Sequence, residues 1–169
     1  MTIKEKFDLW CSFDEDTKNE LVAISDEKEI EDRFYKNLEF GTGGLRGIMG
    51  AGPNRMNKYT IAKATKGYAE YLKSRFDGEI SVAIAYDSRN NSQYFSQVAA
   101  GVLAANGIKV YIYDTLMPTP VLSFTAKYLG CNGGIVLTAS HNPKEYNGYK
   151  IYDEKGCQLV PRFANQVIK

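Results

Sequence analysis

The spacing of hydrophobic residues along the chain predicts a regular succession of strands and helices. Apolar runs typical of buried strands alternate with stretches of helical spacing over the second half of the sequence. We predict strands at 81–86, 108–114 and 135–137, helices at 93–105 and 117–128, and a closing hairpin at 146–161 with Gly156 in its turn. This strand–helix rhythm implies right-handed crossovers and therefore an α/β fold, a three-layer α/β/α domain with a mainly parallel, mixed sheet.

The first 40 residues have helical spacing without strand-like runs. Asp26, with Glu29 three residues later, indicates the start of a helix that runs to about residue 40. A further helix is predicted at 59–76, with Thr60 as its N-cap. We therefore divide the chain into a helical extension, 1–40, packed on a domain that comprises 41–169.

Composition narrows the function classes only a little. The chain has 169 residues, of which 44% are hydrophobic and 24% charged, as in an ordinary globular protein. Its formal net charge of +1 gives no electrostatic support for a nucleic acid or a membrane surface, and we expect neither as a partner. The three cysteines lack metal-ligand or redox spacing, and the N-terminus lacks an apolar leader. We therefore expect a cytoplasmic location.

A glycine-rich segment at 41–57 contains six glycines and places Arg46 among them. Glycine lets the backbone approach a ligand closely, and a guanidinium offers fixed donors that phosphate oxygens accept together. The segment is therefore a candidate phosphate site, with a glycine-rich hairpin and a solvated Arg46 as the alternative. It lacks the pattern GxxxxGK[ST], which argues against a nucleotide triphosphatase.

A serine follows the predicted strand at 135–137, at the edge of the sheet where ligands bind in open α/β folds. This exposed position makes Ser140 a candidate nucleophile. His141, the only histidine, follows directly, but adjacent side chains usually point in different directions, and the chain has no GxSxG elbow. The pattern therefore argues against a serine hydrolase, and Lys150 is the better candidate for proton transfer because its ammonium is attracted to phosphate.

A second polar group, Asp87-Ser88-Arg89, follows the predicted strand at 81–86. The carboxyl ends of parallel strands share one edge, so we expect these residues on the same side of the sheet as Ser140. Arg89 is then a candidate for the surroundings of the serine, with Asp87 as its orienting partner. A surface salt bridge between Asp87 and Arg89 is the alternative.

Three sequence blocks together resemble the α-D-phosphohexomutase family, which contains phosphoglucomutases and phosphomannomutases. TASHNP followed by YNGYK, at 138–150, is similar to the phosphoserine loop of the family. GTGGLRG at 41–47 and YDSR at 86–89 occur in the order found in the family. The resemblance implies that Ser140 carries a phosphoryl group, gives it to one hydroxyl of a sugar monophosphate and takes it back from another.

The resemblance also implies a set of site residues and cofactors. Its catalytic residues would be Ser140, His141, Lys150 and Arg46, and its phosphate- or substrate-binding residues would be Arg89, Thr138 and Asn142. Magnesium would bind an oxygen of the phosphate on Ser140, with its other ligands supplied by aspartates of a domain that this chain lacks. Glucose 1,6-bisphosphate would be the intermediate or activator.

The family motifs for metal binding and sugar discrimination are absent, and the chain ends within a predicted helix at 161–169. We therefore expect a fragment, the first domain of the family, that is inactive without the rest of the full-length chain. The expected reaction interconverts glucose 1-phosphate and glucose 6-phosphate. Pentose or mannose phosphates are alternative substrates, and a non-catalytic module that binds sugar phosphates is the alternative from another class.

Overall fold

A computed structural model describes residues 1–41 and 44–159. Positions 42–43 of the glycine-rich block and residues 160–169, including the predicted C-terminal helix, lie outside the described residues. The described part contains a five-stranded mixed sheet with helices on both faces, which confirms the predicted α/β/α fold.

The strands of the sheet are β1 (Gly44–Ile48), β2 (Ser81–Tyr86), β3 (Lys109–Ile112), β4 (Gly133–Leu137) and β5 (Tyr146–Tyr152). Their order in the sheet is β1-β5-β4-β2-β3. Pairs β2–β3 and β2–β4 are parallel, whereas β4–β5 and β1–β5 are antiparallel. The three strands predicted to be parallel therefore are so, and β5 of the predicted hairpin adds β1 to the sheet in antiparallel pairing.

The described part of the chain contains the helices α1 (Ile3–Cys11), α2 (Glu15–Val22), α3 (Glu27–Phe34), α4 (Lys58–Arg75), α5 (Ser92–Ala105) and α6 (Thr119–Tyr128). The last three of them cover the sheet. The larger core lies on the face that α4 and α5 cover, where Tyr68, Leu103 and Tyr149 are buried. The smaller core lies on the opposite face under α6, around Leu122 and Val136.

The three N-terminal helices have a separate apolar cluster of their own. Trp10, Leu21 and Phe34 are buried in it, and Tyr59 at the start of α4 packs against it. Asp14 caps α2 and accepts hydrogen bonds from Tyr59 and from Lys58, the latter at 2.8 Å. Aromatic packing and the hydrogen bonds to the Asp14 carboxylate thus hold these helices against α4.

Two helix predictions differ from the structure at their boundaries. The helix capped by Asp26 ends at Phe34, well before residue 40, because the backbone beyond it turns to donate from Leu38 N to Pro53 O at 2.8 Å. The N-cap of α4 is Asn57 instead of Thr60. Thr60 is the third residue after this N-cap. Its hydroxyl accepts from Asn57 N at 3.0 Å and completes a capping box.

The glycine-rich segment, which we interpret from sequence as a ligand loop, contains the edge strand β1. Gly44 has room only for a hydrogen, since a Cβ there would lie 2.1 Å from the carbonyl oxygen of Tyr149 on β5. The predicted turn at Gly156 is present, with φ of 74° and a hydrogen bond from Asp153 N to Cys157 O. The strands that pair with β5 along its length are nevertheless β4 and β1, not the second arm of the predicted hairpin.

Candidate active site

Ser140 lies in the loop that joins β4 to β5, three residues after the end of β4. Its side chain is exposed, and its backbone adopts a left-handed conformation with φ of 57°, which is uncommon for a residue other than glycine. The amide of Ser140 donates to Thr138 Oγ1 at 3.0 Å, and Asn142 N donates to Ala139 O at 3.1 Å. Local hydrogen bonds therefore fold this loop tightly around the serine.

Arg89 extends from the end of β2 to the inside of the same loop. Its guanidinium donates to three backbone carbonyls of the loop and to one at the start of β5, and its Nε lies 3.5 Å from a carboxylate oxygen of Asp87. The acceptors and distances are Ser140 O at 2.7 Å, Asn142 O at 2.6 Å, Pro143 O at 2.9 Å and Tyr146 O at 3.2 Å. The predicted proximity of YDSR to the serine is therefore realised in the structure.

Three other predicted residues surround Ser140 in the loop. His141 Nδ1 lies 3.4 Å from Ser140 Oγ, too long for a strong hydrogen bond, and the imidazole is exposed. Thr138 is buried, and its hydroxyl accepts from the backbone. Asn142 Oδ1 is buried and has no hydrogen-bond partner within residues 1–41 and 44–159. This buried oxygen is therefore a polar atom that an ordered water molecule could satisfy.

Arg46 and Lys150 lie on the adjacent strands β1 and β5. Arg46 pairs with Gly148 and Gly44 pairs with Lys150, so the two cationic side chains are diagonal neighbours on one face of the sheet. Arg46 is exposed beside a cavity of about 420 Å³ that Tyr146 also lines. Among the described residues, no hydrogen bond joins either side chain to the serine loop. The structure thus brings the loop residues and Arg89 into contact, and places Arg46 and Lys150 as a second group.

Two site residues escape prediction from the sequence. Asn147 and Ser92 are fully buried, and Asn147 Nδ2 donates to Ser92 Oγ at 3.0 Å and to Asn90 O at 2.9 Å. Ser92 Oγ in turn donates to Asp87 Oδ1 at 2.8 Å. This chain of hydrogen bonds joins the start of β5 to the end of β2. The asparagine inside YNGYK is the one signal that could have pointed to it.

The electrostatics of the site depend on cations more than on titrating acids. Tyr149, next to Lys150, is fully buried, and burial raises the pKa of its hydroxyl well above the ordinary value. Its phenol therefore stays protonated and is no candidate for a base. No group of three or more His, Cys, Asp or Glu that could hold a metal ion exists among the described residues. The carboxylate beside the loop, Asp87, already accepts from Arg89 N and Ser92 Oγ.

Comparison with known proteins shows which family shares this domain. A family model described as phosphoglucomutase/phosphomannomutase, alpha/beta/alpha domain I, matches residues 37–169. The chain belongs to this family. No helix in the described part of the chain is long and apolar enough to cross a membrane.

Relatives of this phosphoglucomutase/phosphomannomutase domain include enzymes of different names. A phosphoglucomutase of Staphylococcus epidermidis is 44% identical over 155 residues, which are 84% of this chain and 28% of that protein. The phosphopentomutase of Homo sapiens is 38% identical over 148 residues, 83% of this chain and 24% of that protein. A solved structure described as a phosphomannomutase from Thermus thermophilus matches with a TM-score of 0.72 and 32% identity, over 79% of this chain and 29% of that one. The chain thus spans less than a third of the length of these relatives.

Proposed function

We propose that this chain is the phosphoserine-bearing domain of a phosphoglucomutase-type enzyme, in which Ser140 carries the transferred phosphoryl group. The observation that carries the proposal is the exposed Ser140, held in a left-handed conformation at the carboxyl end of β4. A hydroxyl there is accessible to a substrate and fixed in direction by the loop. Membership of the family and the phosphoglucomutase among its relatives support the same interpretation.

The proposed reaction has two balanced halves. In the first, a hydroxyl oxygen of the sugar monophosphate bonds to phosphorus while the bond from phosphorus to Ser140 Oγ breaks. The ammonium of Lys150 gives a proton to Oγ as that bond breaks, and the resulting amine takes the proton of the sugar hydroxyl, which leaves a neutral serine and a sugar bisphosphate such as glucose 1,6-bisphosphate. After the bisphosphate reorients, Oγ attacks the other phosphorus, and the proton travels in the opposite direction.

The other site residues bind and orient in this proposal. Arg46 is exposed and has no carboxylate partner within the described ranges, so both edges of its guanidinium are open to a phosphate. His141 contacts the phosphoryl group or the sugar from beside Ser140. Thr138 fixes the amide of Ser140, and Asn142, whose carbonyl accepts from Arg89, borders the phosphate or the substrate from the same loop.

Magnesium does not fit the described residues as a complete site. The ion prefers an octahedral oxygen shell that includes carboxylates or phosphate, and the nearby carboxylate of Asp87 is already hydrogen-bonded. We propose that one oxygen of the phosphate on Ser140 is the ligand that this domain supplies, with carboxylates from the rest of the full-length protein. When bound, the ion would neutralise charge on the transferred phosphoryl group.

The proposed partners follow from the same interpretation. They are a sugar monophosphate and the remaining part of the full-length protein, since this chain alone covers 28% of the phosphoglucomutase it resembles. Without that part we expect no mutase turnover. Cys11, Cys131 and Cys157 are free thiols, in keeping with a reducing cytoplasm, which is the location we propose.

Two kinds of alternative are open to experiment. The phosphopentomutase relative favours a pentose phosphate, and the phosphomannomutase relative favours a mannose phosphate. A non-catalytic module that binds sugar phosphates would keep the fold but leave Ser140 unmodified. The state of Ser140 therefore separates the enzyme from the binding module, and the sugar that removes its phosphate identifies the substrate.

The decisive experiment uses the full-length protein purified from cells. Intact mass followed by peptide mapping should find one phosphate on Ser140, which disappears on incubation with glucose 1-phosphate faster than with ribose or mannose phosphates. Ser140→Ala should lower turnover by several orders of magnitude and leave the fold unchanged. Ser88→Ala, at the same edge of the sheet, is the control and should keep the wild-type turnover. A serine that is never phosphorylated, or normal turnover by Ser140→Ala, would refute the proposal.

Lys150 can be tested separately from the carrier. Lys150→Met should leave Ser140 phosphorylated but slow both half-reactions by about two to four orders of magnitude, the usual worth of a positioned proton-transfer group. Lys150→Arg keeps the charge but cannot readily release its proton, so it should restore binding more than rate. Wild-type single-turnover rates in the arginine variant would reduce Lys150 to an electrostatic role.

A further inference from the structure

All the N–H donors of Arg89 face acceptor atoms of the protein itself. A guanidinium has five N–H groups. Two on one terminal nitrogen are directed to the carbonyls of Pro143 and Tyr146, two on the other to those of Ser140 and Asn142, and Nε faces Asp87. The side chain is 13% exposed. In this conformation none of its donors is left for a phosphate.

The same hydrogen bonds fix the conformation of Ser140. The left-handed conformation is unfavourable for a residue with a Cβ, so the surrounding structure must hold Ser140 in place. The amide before the Ser140 Cα donates to Thr138 Oγ1, and the carbonyl after it accepts from Arg89 at 2.7 Å. With partners on both sides, φ and ψ of Ser140 are fixed, and so is the direction of its Cβ–Oγ bond.

The base of Arg89 is rigid as well. Its amide donates to Asp87 Oδ1 at 3.0 Å, and the same oxygen accepts from the buried Ser92 at the start of α5. Asp87 N also donates to Leu137 O at the end of β4, at 3.2 Å. Arg89 is thus anchored to both parallel strands that lead to the loop, and a rigid base transmits its position to the serine.

We propose that Arg89 is a positioning residue, which holds Ser140 in the left-handed conformation that directs Oγ at the reacting phosphorus, and that it binds the loop carbonyls instead of the phosphate. The inference rests on the proposed role of Ser140 as phosphoryl carrier. Loss of Arg89 frees the loop to relax toward ordinary backbone angles, which misdirects Oγ without touching the substrate. Rate should therefore suffer while substrate binding does not.

The test uses the full-length enzyme after wild-type protein has been shown to discharge phospho-Ser140 to a sugar phosphate. We expect Arg89→Ala to lower kcat about 100-fold and Arg89→Lys about 10-fold, because lysine can reach only some of the carbonyls, with KM within about twofold in both. Added guanidinium ion should recover about tenfold of the rate in Arg89→Ala, since it can occupy the same carbonyl cage. Arg75→Lys, on the outer helix α4, is the matched control and should keep kcat and KM.

Several outcomes would overturn the inference. A tenfold rise in KM with unchanged kcat would make Arg89 a substrate or phosphate ligand. Unchanged kinetics in both variants, or a rate loss in Arg89→Ala that guanidinium does not recover, would also reject the positioning role. If Arg89→Ala does not fold, as judged by circular dichroism, Arg89→Lys decides by its kcat-to-KM split alone. Absence of phosphate on wild-type Ser140 would instead reject the proposed function, which keeps the two failures distinct.

Discussion

Two arginines with little exposure, Arg33 and Arg89, hold two regions of this molecule together with opposite kinds of acceptor. Arg33 in the N-terminal helices contacts the carboxylates of Glu20 at 2.5 Å and Glu29 at 2.7 Å, besides the carbonyl of Ala51 at 2.9 Å. Arg89 contacts four neutral carbonyls and approaches a carboxylate only at 3.5 Å. Charged partners neutralise and anchor the first arginine, whereas neutral partners let the second shape a loop and keep its charge near the serine.

The largest effect on stability should come from removing the ion pairs of Arg33. Arg33→Met removes the hydrogen bonds that join α2, α3 and Ala51, and we expect it to lower the free energy of unfolding by about 2–3 kcal/mol. Urea denaturation followed by circular dichroism measures this loss. Lys109→Met is the control, because its ion pair with Glu79 is exposed to solvent and should contribute much less to the free energy of unfolding. Equal losses in the two variants would contradict the anchoring role of Arg33.

A smaller loss should follow from disturbing the geometry beneath the serine loop. A Cβ on Gly148 would lie 2.5 Å from Thr138 O and 3.0 Å from Leu45 O, both backbone atoms. Gly148→Ala must therefore separate β5 from its neighbours, and we expect a cost of about 1–2 kcal/mol. Gly101→Ala in α5, where nothing lies within 4 Å, should instead stabilise by about 0.5–1 kcal/mol. Thermal denaturation of both variants measures the two effects. A Gly148→Ala variant as stable as the wild type would contradict the predicted clash with the backbone oxygens.

The smallest effect concerns Asp14, whose charge titrates. Hydrogen bonds from Lys58, from Tyr59 and from Thr17 N hold the pKa of this carboxyl well below its ordinary value of 3.8. A depressed pKa in the folded state stabilises the protein above the ordinary value and loses that contribution as the pH falls below it. Asp14→Asn should therefore cost about 1 kcal/mol at pH 7, and the deficit should shrink as the pH falls below about 4.

The loop region supplies the control for this pH dependence. The deficit of Gly148→Ala arises from a contact between backbone atoms and should remain constant over the same pH range. Denaturation curves of both variants and the wild type between about pH 2 and pH 7 make the comparison directly. A deficit of Asp14→Asn that does not change with pH would mean that the carboxylate acts only as a helix cap.

The sequence predicts the elements in which local pattern and tertiary environment agree. The apolar runs of β2 and β4 are buried on both faces, so their composition alone is sufficient. β1 is hidden from such reasoning because Gly44 and Gly47 supply no side chains to form a pattern. Their value lies in the space they leave for β5 and for Leu38, which only the folded chain reveals.

The site divides in the same way. The position of Ser140 follows from a strand end and a turn-rich loop, both local signals. The partners of Arg89 do not follow, because they are carbonyl oxygens more than fifty positions along the chain, and every residue type carries the same carbonyl. Arg33 is equally hard to recognise in the sequence, since its position is typical of a surface residue on an amphipathic helix. Non-local bonds to the backbone leave no trace in composition.

The pairing of β1 with β5 also sets an order of events during synthesis. Arg46 leaves the ribosome early, yet its strand has no partner until Gly148 and its neighbours follow, almost a whole domain later. Strands β2, β3 and β4 can pair with one another before that moment, because they are closer in sequence. The face shared by Arg46 and Lys150 is therefore completed last. A nascent chain interrupted before β5 would display a bare edge on β4 and lack the paired cationic strands beside the serine.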